Sequence, residues 1–204
     1  ETTVRSPMAR NPSSSASAPT SAVRGTKRTV AMTRAPMRAY VGLGSNLHAP
    51  VRQLQCAVTG LGQIPHTCLR AVSGFYSNPP MGPSQPDYIN AVAALSTRLS
   101  AHALLGELQT LEYRRGRRRD GARWGPRILD LDLLLMGCLR LESERLTLPH
   151  PGVAERAFVL VPLMELAPRL ELPDGRTIEA LLEKVGQSEV RRLADGAATR
   201  RACR

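Results

Sequence analysis

Two aspartates, Asp130 and Asp132, stand two residues apart inside an intensely apolar run at 127–136 (RILDLDLLLM). On an extended chain alternate residues share a face. The two carboxylates therefore project together, while Leu129, Leu131, Leu133 and Leu135 take the other side. Paired carboxylates repel one another and call for a cation. Mg2+ suits them, because it accepts carboxylate oxygen and fills its octahedron with water or phosphate. The plainer alternative is a strand edge facing water, since Asp-x-Asp alone is a common pattern. Just ahead of the pair, seven arginines lie between Arg114 and Arg127. Their planar forks match phosphate oxygens two at a time. A basic loop also suits nucleic acid, but base stacking wants interleaved aromatics, and this stretch holds only Trp124. Arginines beside paired carboxylates point instead to a metal-bound polyphosphate. The chain has no glycine-rich loop ending in Gly-Lys-Ser or Gly-Lys-Thr, which excludes a P-loop kinase.

Tyr88 and Asn90 share a strand face in the same way, and an Asn amide can both donate and accept at the edge of a heterocycle. Taken alone, a strand tyrosine is more often core packing. His150 sits between two prolines, in a turn too rigid for ordinary packing, and by itself reads as structural or exposed rather than catalytic.

These side chains need elements to hold them. Residues 39–43 form an apolar run closed by Gly44-Ser45-Asn46, a strand leading to a turn. Pro50 suits the first turn of a helix carrying Val51, Leu54, Val58 and Leu61 at helical spacing. A second strand is expected at 68–77, ended by a proline-rich stretch, and a third at 88–95. Ser100 can cap a helix with Leu104, Leu105, Leu108 and Leu111 on one face. Residues 114–126 read as a loop and 127–136 as a strand, with a short strand near 139–141 pairing with it as a hairpin. Helices are expected at 154–166 and 177–185. The order strand, helix, strand, strand, helix, strand is that of an α+β ferredoxin-like domain. Its βαββαβ core carries extra strands and C-terminal helices, with helices packed on a mainly antiparallel sheet.

The 204 residues include 28 Lys and Arg against 17 Asp and Glu, a formal charge of +11. That charge concentrates at the ends. Residues 1–37 are a basic Ser/Pro-rich segment with no hydrophobic period, expected to be disordered. Residues 187–204 are a second basic tail, and 38–186 form the folded domain. No uninterrupted apolar run reaches the roughly 18 residues of a membrane span. Four cysteines, Cys56, Cys68, Cys138 and Cys203, lie far apart without metal-ligand spacing and read as reduced thiols of a cytoplasmic protein.

Beyond these patterns, Gly42-Leu-Gly-Ser-Asn46, Tyr76-Ser-Asn-Pro-Pro80, Gln85-Pro-Asp-Tyr-Ile-Asn90, Arg123-Trp-Gly-Pro-Arg-Ile-Leu-Asp-Leu-Asp-Leu-Leu134 and Arg145-Leu-Thr-Leu-Pro-His150 occur in this order. Together they resemble the 6-hydroxymethyl-7,8-dihydropterin pyrophosphokinases of folate biosynthesis, over residues 39–175. The resemblance implies transfer of the pyrophosphoryl group of ATP to the pterin hydroxymethyl group, giving AMP and the pterin diphosphate. It implies that Asp130 and Asp132 hold two Mg2+ ions, with ATP as co-substrate. Arg117, Arg119, Arg123 and Arg127 would belong to a mobile catalytic loop and its end, Arg119 and Arg127 meeting phosphates. Tyr88 and Phe158 would sandwich the pterin and Asn90 bond its edge, while Asn78, Pro79, Met81 and Trp124 line or close the pocket. Gln109, Glu112, Leu133, Arg145, Leu146, Thr147, His150 and Arg156 would contact ATP. Asn78, Met81 and Pro151 depart from the commonest residues at their positions. The resulting expectation is a stand-alone monomeric enzyme acting on small molecules, with neither nucleic acid nor membrane as partner. The rival is an Arg-rich nucleic-acid-binding module, whose affinity would fall steeply with salt and survive loss of either aspartate.

Overall fold

The computed structural model describes residues 32–117, 125–186, 189–194 and 199–200. Strand β1 (Met32–Ser45) runs into helix α1 (Pro50–Leu61), β2 (Thr67–Val72), β3 (Tyr76–Asn78) and β4 (Tyr88–Leu99). Helix α2 (Ala101–Arg114), β5 (Asp130–Met136), β6 (Leu141–Ser143) and β7 (Leu146–Leu148) follow. A 3-10 turn (Pro151–Ala154), α3 (Ala157–Leu166), α4 (Ile178–Val185), β8 (Arg191–Arg192) and β9 (Thr199–Arg200) complete the order. The main sheet is arranged β5-β1-β4-β2-β9, and β3 joins β4 on one side and β8 on the other, all antiparallel. The first six core elements thus give the ferredoxin-like order, with β1 central.

Alternation along β1 assigns its faces. Ala39, Val41 and Leu43 bury against Leu54 and Leu61 of α1 and Leu104 and Leu108 of α2. Tyr40 turns to the opposite face, where Val159, Leu160 and Leu163 of α3 and Ile178 and Leu181 of α4 close a second cluster. The sheet therefore lies between two helical layers, and each fully buried leucine contributes about 1.5–3 kcal/mol relative to exposure. Helix starts follow the local signals: Pro50 occupies the first turn of α1, and the Ser100 hydroxyl accepts the Ala103 amide at 3.2 Å.

Several expectations need correction. The single strand at 68–77 is two, because Ser73 interrupts it: its amide donates to Val92 O, and its Oγ accepts the Val92 amide, each at 2.9 Å. Leu135 does not share the face of Leu129, Leu131 and Leu133. The β1–β5 register slips between Tyr40 and Val41, so Leu134 is an extra residue and Leu135 falls into the second cluster. The strand near 139–141 starts at Leu141 and pairs with β7, not with β5. Strand β1 begins at Met32, inside the stretch assigned to the N-terminal tail, and β8 and β9 arise in the C-terminal one. Cys68 is disulfide-bonded, whereas Cys56 and Cys138 are free thiols as expected.

Candidate active site

The floor of the site is the end of β1 where side chains are missing. Gly42 lies between Val92 of β4 and Asp132 of β5, and Gly44 between Asn90 and Asp130. A Cβ on Gly44 would meet Asn90 Oδ1 at 3.0 Å, and one on Gly42 would meet Leu134 at 3.4 Å. Two glycines thus open a trough with an amide on one bank and two carboxylates on the other. Neither had been singled out from sequence as a site residue, although the glycine spacing was visible there.

A cavity of about 300 Å3 extends over this floor, lined among others by Asn78, Met81, Tyr88, Asn90, Arg127, Asp130, Arg156 and Phe158. Asn90 donates its amide to Asn78 Oδ1, and the Tyr88 hydroxyl donates to Gly125 O at 3.0 Å. The Arg156 guanidinium stands 5.9 Å over the Phe158 ring. A second cavity of about 330 Å3 is lined by Gln109, Glu112, Arg117, Leu133, Arg145, Leu146 and Thr147. Asp132 and His150 belong to both. The two hollows therefore meet at one carboxylate and one imidazole.

The charges at this junction are arranged unequally. Asp130 accepts from both Arg117 and Arg127, and Arg117 also pairs with the buried Glu112, whose Oε1 accepts the Leu131 amide at 2.8 Å. Among the described residues nothing donates a hydrogen bond to the Asp132 carboxylate. Burial first, and the Asp130 charge second, push the Asp132 carboxyl above the usual carboxylate range, against a smaller opposing pull from His150, Arg117 and Arg127. Burial alone would lower the Arg127 guanidinium, but Asp130 beside it carries it above its ordinary value. The Tyr88 phenol is raised, chiefly by burial. His150 Nδ1 accepts the Gly152 amide at 3.1 Å, which makes Nε2 the donor of the neutral ring.

These residues fit a hard divalent cation. Two carboxylates share one face, one of them lacks a donor, and no third His, Cys, Asp or Glu completes a cage among the described residues. That donor set suits Mg2+, which keeps water or phosphate in its remaining positions.

Most of the residues expected at the site are brought together here, with some regrouping. Arg127 and Arg156, expected on the nucleotide, line the first cavity, and Pro79 is exposed and lines neither. Arg119, Arg123 and Trp124 lie outside the described residues. Asn46 had been missed as a site residue. Its amide donates to Arg127 O at 3.0 Å, its Oδ1 accepts the Arg127 amide at 2.7 Å, and its Nδ2 reaches Gln85 Oε1 and Pro86 O at 3.0 and 3.1 Å. In sequence an Asn after Gly-Ser signals only a turn; its partners are 39 to 81 residues away.

Comparison with known proteins places the chain in a family. Residues 40–168 match the family described as 7,8-dihydro-6-hydroxymethylpterin-pyrophosphokinase. A 2-amino-4-hydroxy-6-hydroxymethyldihydropteridine pyrophosphokinase of Pseudomonas aeruginosa is 49% identical over 157 residues, spanning 76% of this chain and 96% of that one. The protein of the same name from Haemophilus influenzae is 46% identical over 156 residues, spanning 76% and 97%. Among solved structures, wild-type Plasmodium falciparum HPPK-DHPS with SDX-DHP superposes with a TM-score of 0.57 at 14% identity, over 73% of this chain and 44% of that one. An HPPK-DHPS in complex with substrates gives 0.60 at 10% identity, over 76% and 48%. This chain spans about half the length of those two solved chains, and at such identity they speak for the fold alone. The family match and the high identity to full-length relatives settle the kinship: this chain belongs to the 7,8-dihydro-6-hydroxymethylpterin-pyrophosphokinase family.

Proposed function

We infer that the protein transfers the pyrophosphoryl group of ATP to 6-hydroxymethyl-7,8-dihydropterin, giving AMP and the pterin diphosphate, a step of folate biosynthesis. The observation that carries this reading is the meeting of two small cavities at Asp132 and His150. One is fitted to a flat heterocycle, with Tyr88 and Phe158 as faces and Asn90 and Asn78 as edge partners. The other offers Arg145, Thr147 and Gln109 to a nucleotide. A hydroxymethyl group leaving the first cavity and a triphosphate leaving the second meet at the acidic pair.

Such a transfer asks the protein mainly for positioning and charge stabilisation. The pterin hydroxyl oxygen attacks the β-phosphorus, the bond from that phosphorus to the α,β-bridging oxygen breaks, and AMP departs. Mg2+ held by Asp130 and Asp132, two ions on our reading, would supply charge neutralisation for the triphosphate and favour in-line displacement. Asp130 and Asp132 would hold that metal, and they line the cavity where the two ligands meet, so that either can take up the hydroxyl proton. Arg117, Arg119 and Arg127 meet phosphate charge, and His150 donates from Nε2. Glu112 fixes Arg117 at the rim of the nucleotide cavity. Trp124, Met81 and Pro79 close the pterin side, while Leu133, Leu146 and Arg156 complete the walls. The transfer unit is the folded domain expected at 38–186 together with the strands that extend it on either side, acting as a monomer in the cytoplasm. Cavities of this size take small molecules rather than nucleic acid.

Paired binding measurements test this division of labour. Asn90→Ala should weaken pterin by about tenfold or more, the cost of losing one buried polar contact, with little change for a non-hydrolysable ATP analogue. Arg145→Ala should do the reverse. Variants that impaired both ligands equally would sink the two-cavity reading.

A further inference from the structure

Strand β8 lies beyond the stretch matched to the family, which ends at 168, and lines neither cavity. Even so, it pairs with β3, the strand that brings Asn78 to the pterin side. Arg191 stands opposite Ser77 and Arg192 opposite Tyr76, and the Leu193 amide donates to Phe75 O at 2.8 Å. The Arg192 side chain lies across Gly74, where a Cβ would come within 2.6 Å of its Nε. Its NH2 donates to Glu165 Oε1 at 3.2 Å. The other oxygen of Glu165 accepts the Gly74 amide at 2.9 Å and the Tyr76 hydroxyl at 2.7 Å. Glu165 belongs to α3, whose first turn carries Phe158. A single carboxylate, closed from outside by Arg192, thus ties together the strand that bears Asn78 and the helix that bears Phe158.

Strand β3 needs such a tie. It is three residues long, meets β4 through three residue pairs, and runs directly into the proline-rich stretch after Asn78. Without β8 so short a segment would be an edge, with few bonds to keep it in register, and opening there would be cheap. Every displacement of β3 moves Asn78 away from the Asn90 amide it accepts.

We propose that Arg192, with the strand that carries it, is a positioning element for the pterin cavity: it holds β3 and α3 at the spacing at which Asn78, Asn90 and Phe158 grip the heterocycle. This rests on reading that cavity as the pterin site. The effect is one of preorganisation. A wall already in place costs the ligand no ordering, and a loose one subtracts that cost from affinity. The nucleotide cavity is built from α2, β5, β6 and β7 and does not draw on β3 or β8.

The test uses the full chain with Arg192→Ala and Arg192→Lys, titrated with 6-hydroxymethyl-7,8-dihydropterin in the presence of a non-hydrolysable ATP analogue, and with the analogue alone. Arg192→Ala should weaken pterin binding about five- to tenfold, the scale of one lost ordering contact, while analogue binding and kcat at saturating pterin stay within about twofold. Arg192→Lys, which keeps a cation for Glu165, should restore pterin affinity. Unchanged pterin affinity in Arg192→Ala, or equal weakening of both ligands, would overturn the assignment while leaving the reading of the cavity intact. A wild-type protein that bound the analogue but no pterin would overturn the reading of the cavity, and this assignment with it.

Discussion

The Asp132 carboxylate is largely buried beside a second carboxylate, with no donor among the described residues to offset it. Holding a charge there costs folding free energy, a cost that the cation of the proposed mechanism would offset. Asp132→Asn should therefore raise the melting temperature of the ligand-free protein at pH 7 by roughly 2–4 °C, the shift that ~1 kcal/mol makes in a domain of this size. Turnover should fall by more than the roughly 10–100-fold typical of losing an outer-shell partner. Thermal unfolding and initial rates measured on one preparation check both; a lower melting temperature would mark the residue as structural. Arg119 presents the complementary case, a cation expected to meet charge as it develops. Arg119→Ala should lower kcat far more than pterin affinity, since an interaction made in the transition state leaves ground-state binding alone. Steady-state kinetics alongside pterin titration would show it, and parallel losses would contradict the role.

Elements position these residues through a few long-range ties. Asn46, at the end of β1, binds Arg127 and the 85–86 segment at once and is buried. Asn46→Ala leaves the Arg127 amide without its side-chain acceptor, which should cost about 1–3 kcal/mol in chemical denaturation. The Glu165 knot gives a pH signature. Burial, then the hydrogen bond to Glu165, pushes the Tyr76 phenol from 10.0 up to about 12. A pKa raised on folding means that the folded protein holds the proton more tightly. That stability is complete below pH 10 and is lost as pH rises through about 12. Tyr76→Phe should be less stable at neutral pH by about 1 kcal/mol, and it should lose less stability than wild type between pH 10 and 12. Equal slopes in that interval would remove Tyr76 from the alkaline transition. Such ties were not legible in the sequence. Pro50 and Ser100 announce their helices because proline and cap chemistry act within one turn. The slip between Tyr40 and Val41, by contrast, depends on how two distant strands pair, so the periodicity of the run puts Leu135 on the wrong face.

Across the whole molecule, what the sequence revealed was what local periodicity and motif order can carry: the βαββαβ core, the shared face of Asp130 and Asp132, and the kinship itself. The two-cavity arrangement was hidden, because residues without side chains, Gly42 and Gly44, open the floor of the first cavity, and the walls of both come from elements far apart in the chain. The stacking of Arg156 over Phe158 was likewise not legible in the sequence. Pyrophosphoryl transfer, the reading proposed above, has one chemical consequence that no simple phosphotransferase shares, namely attack at the β-phosphorus of ATP. The most direct measurement is the nucleotide product formed from ATP and Mg2+ with and without 6-hydroxymethyl-7,8-dihydropterin. AMP that forms only with the pterin, in equal amount to the pterin diphosphate and without ADP, is the predicted result. Formation of ADP, or of AMP at a rate indifferent to the pterin, would contradict it.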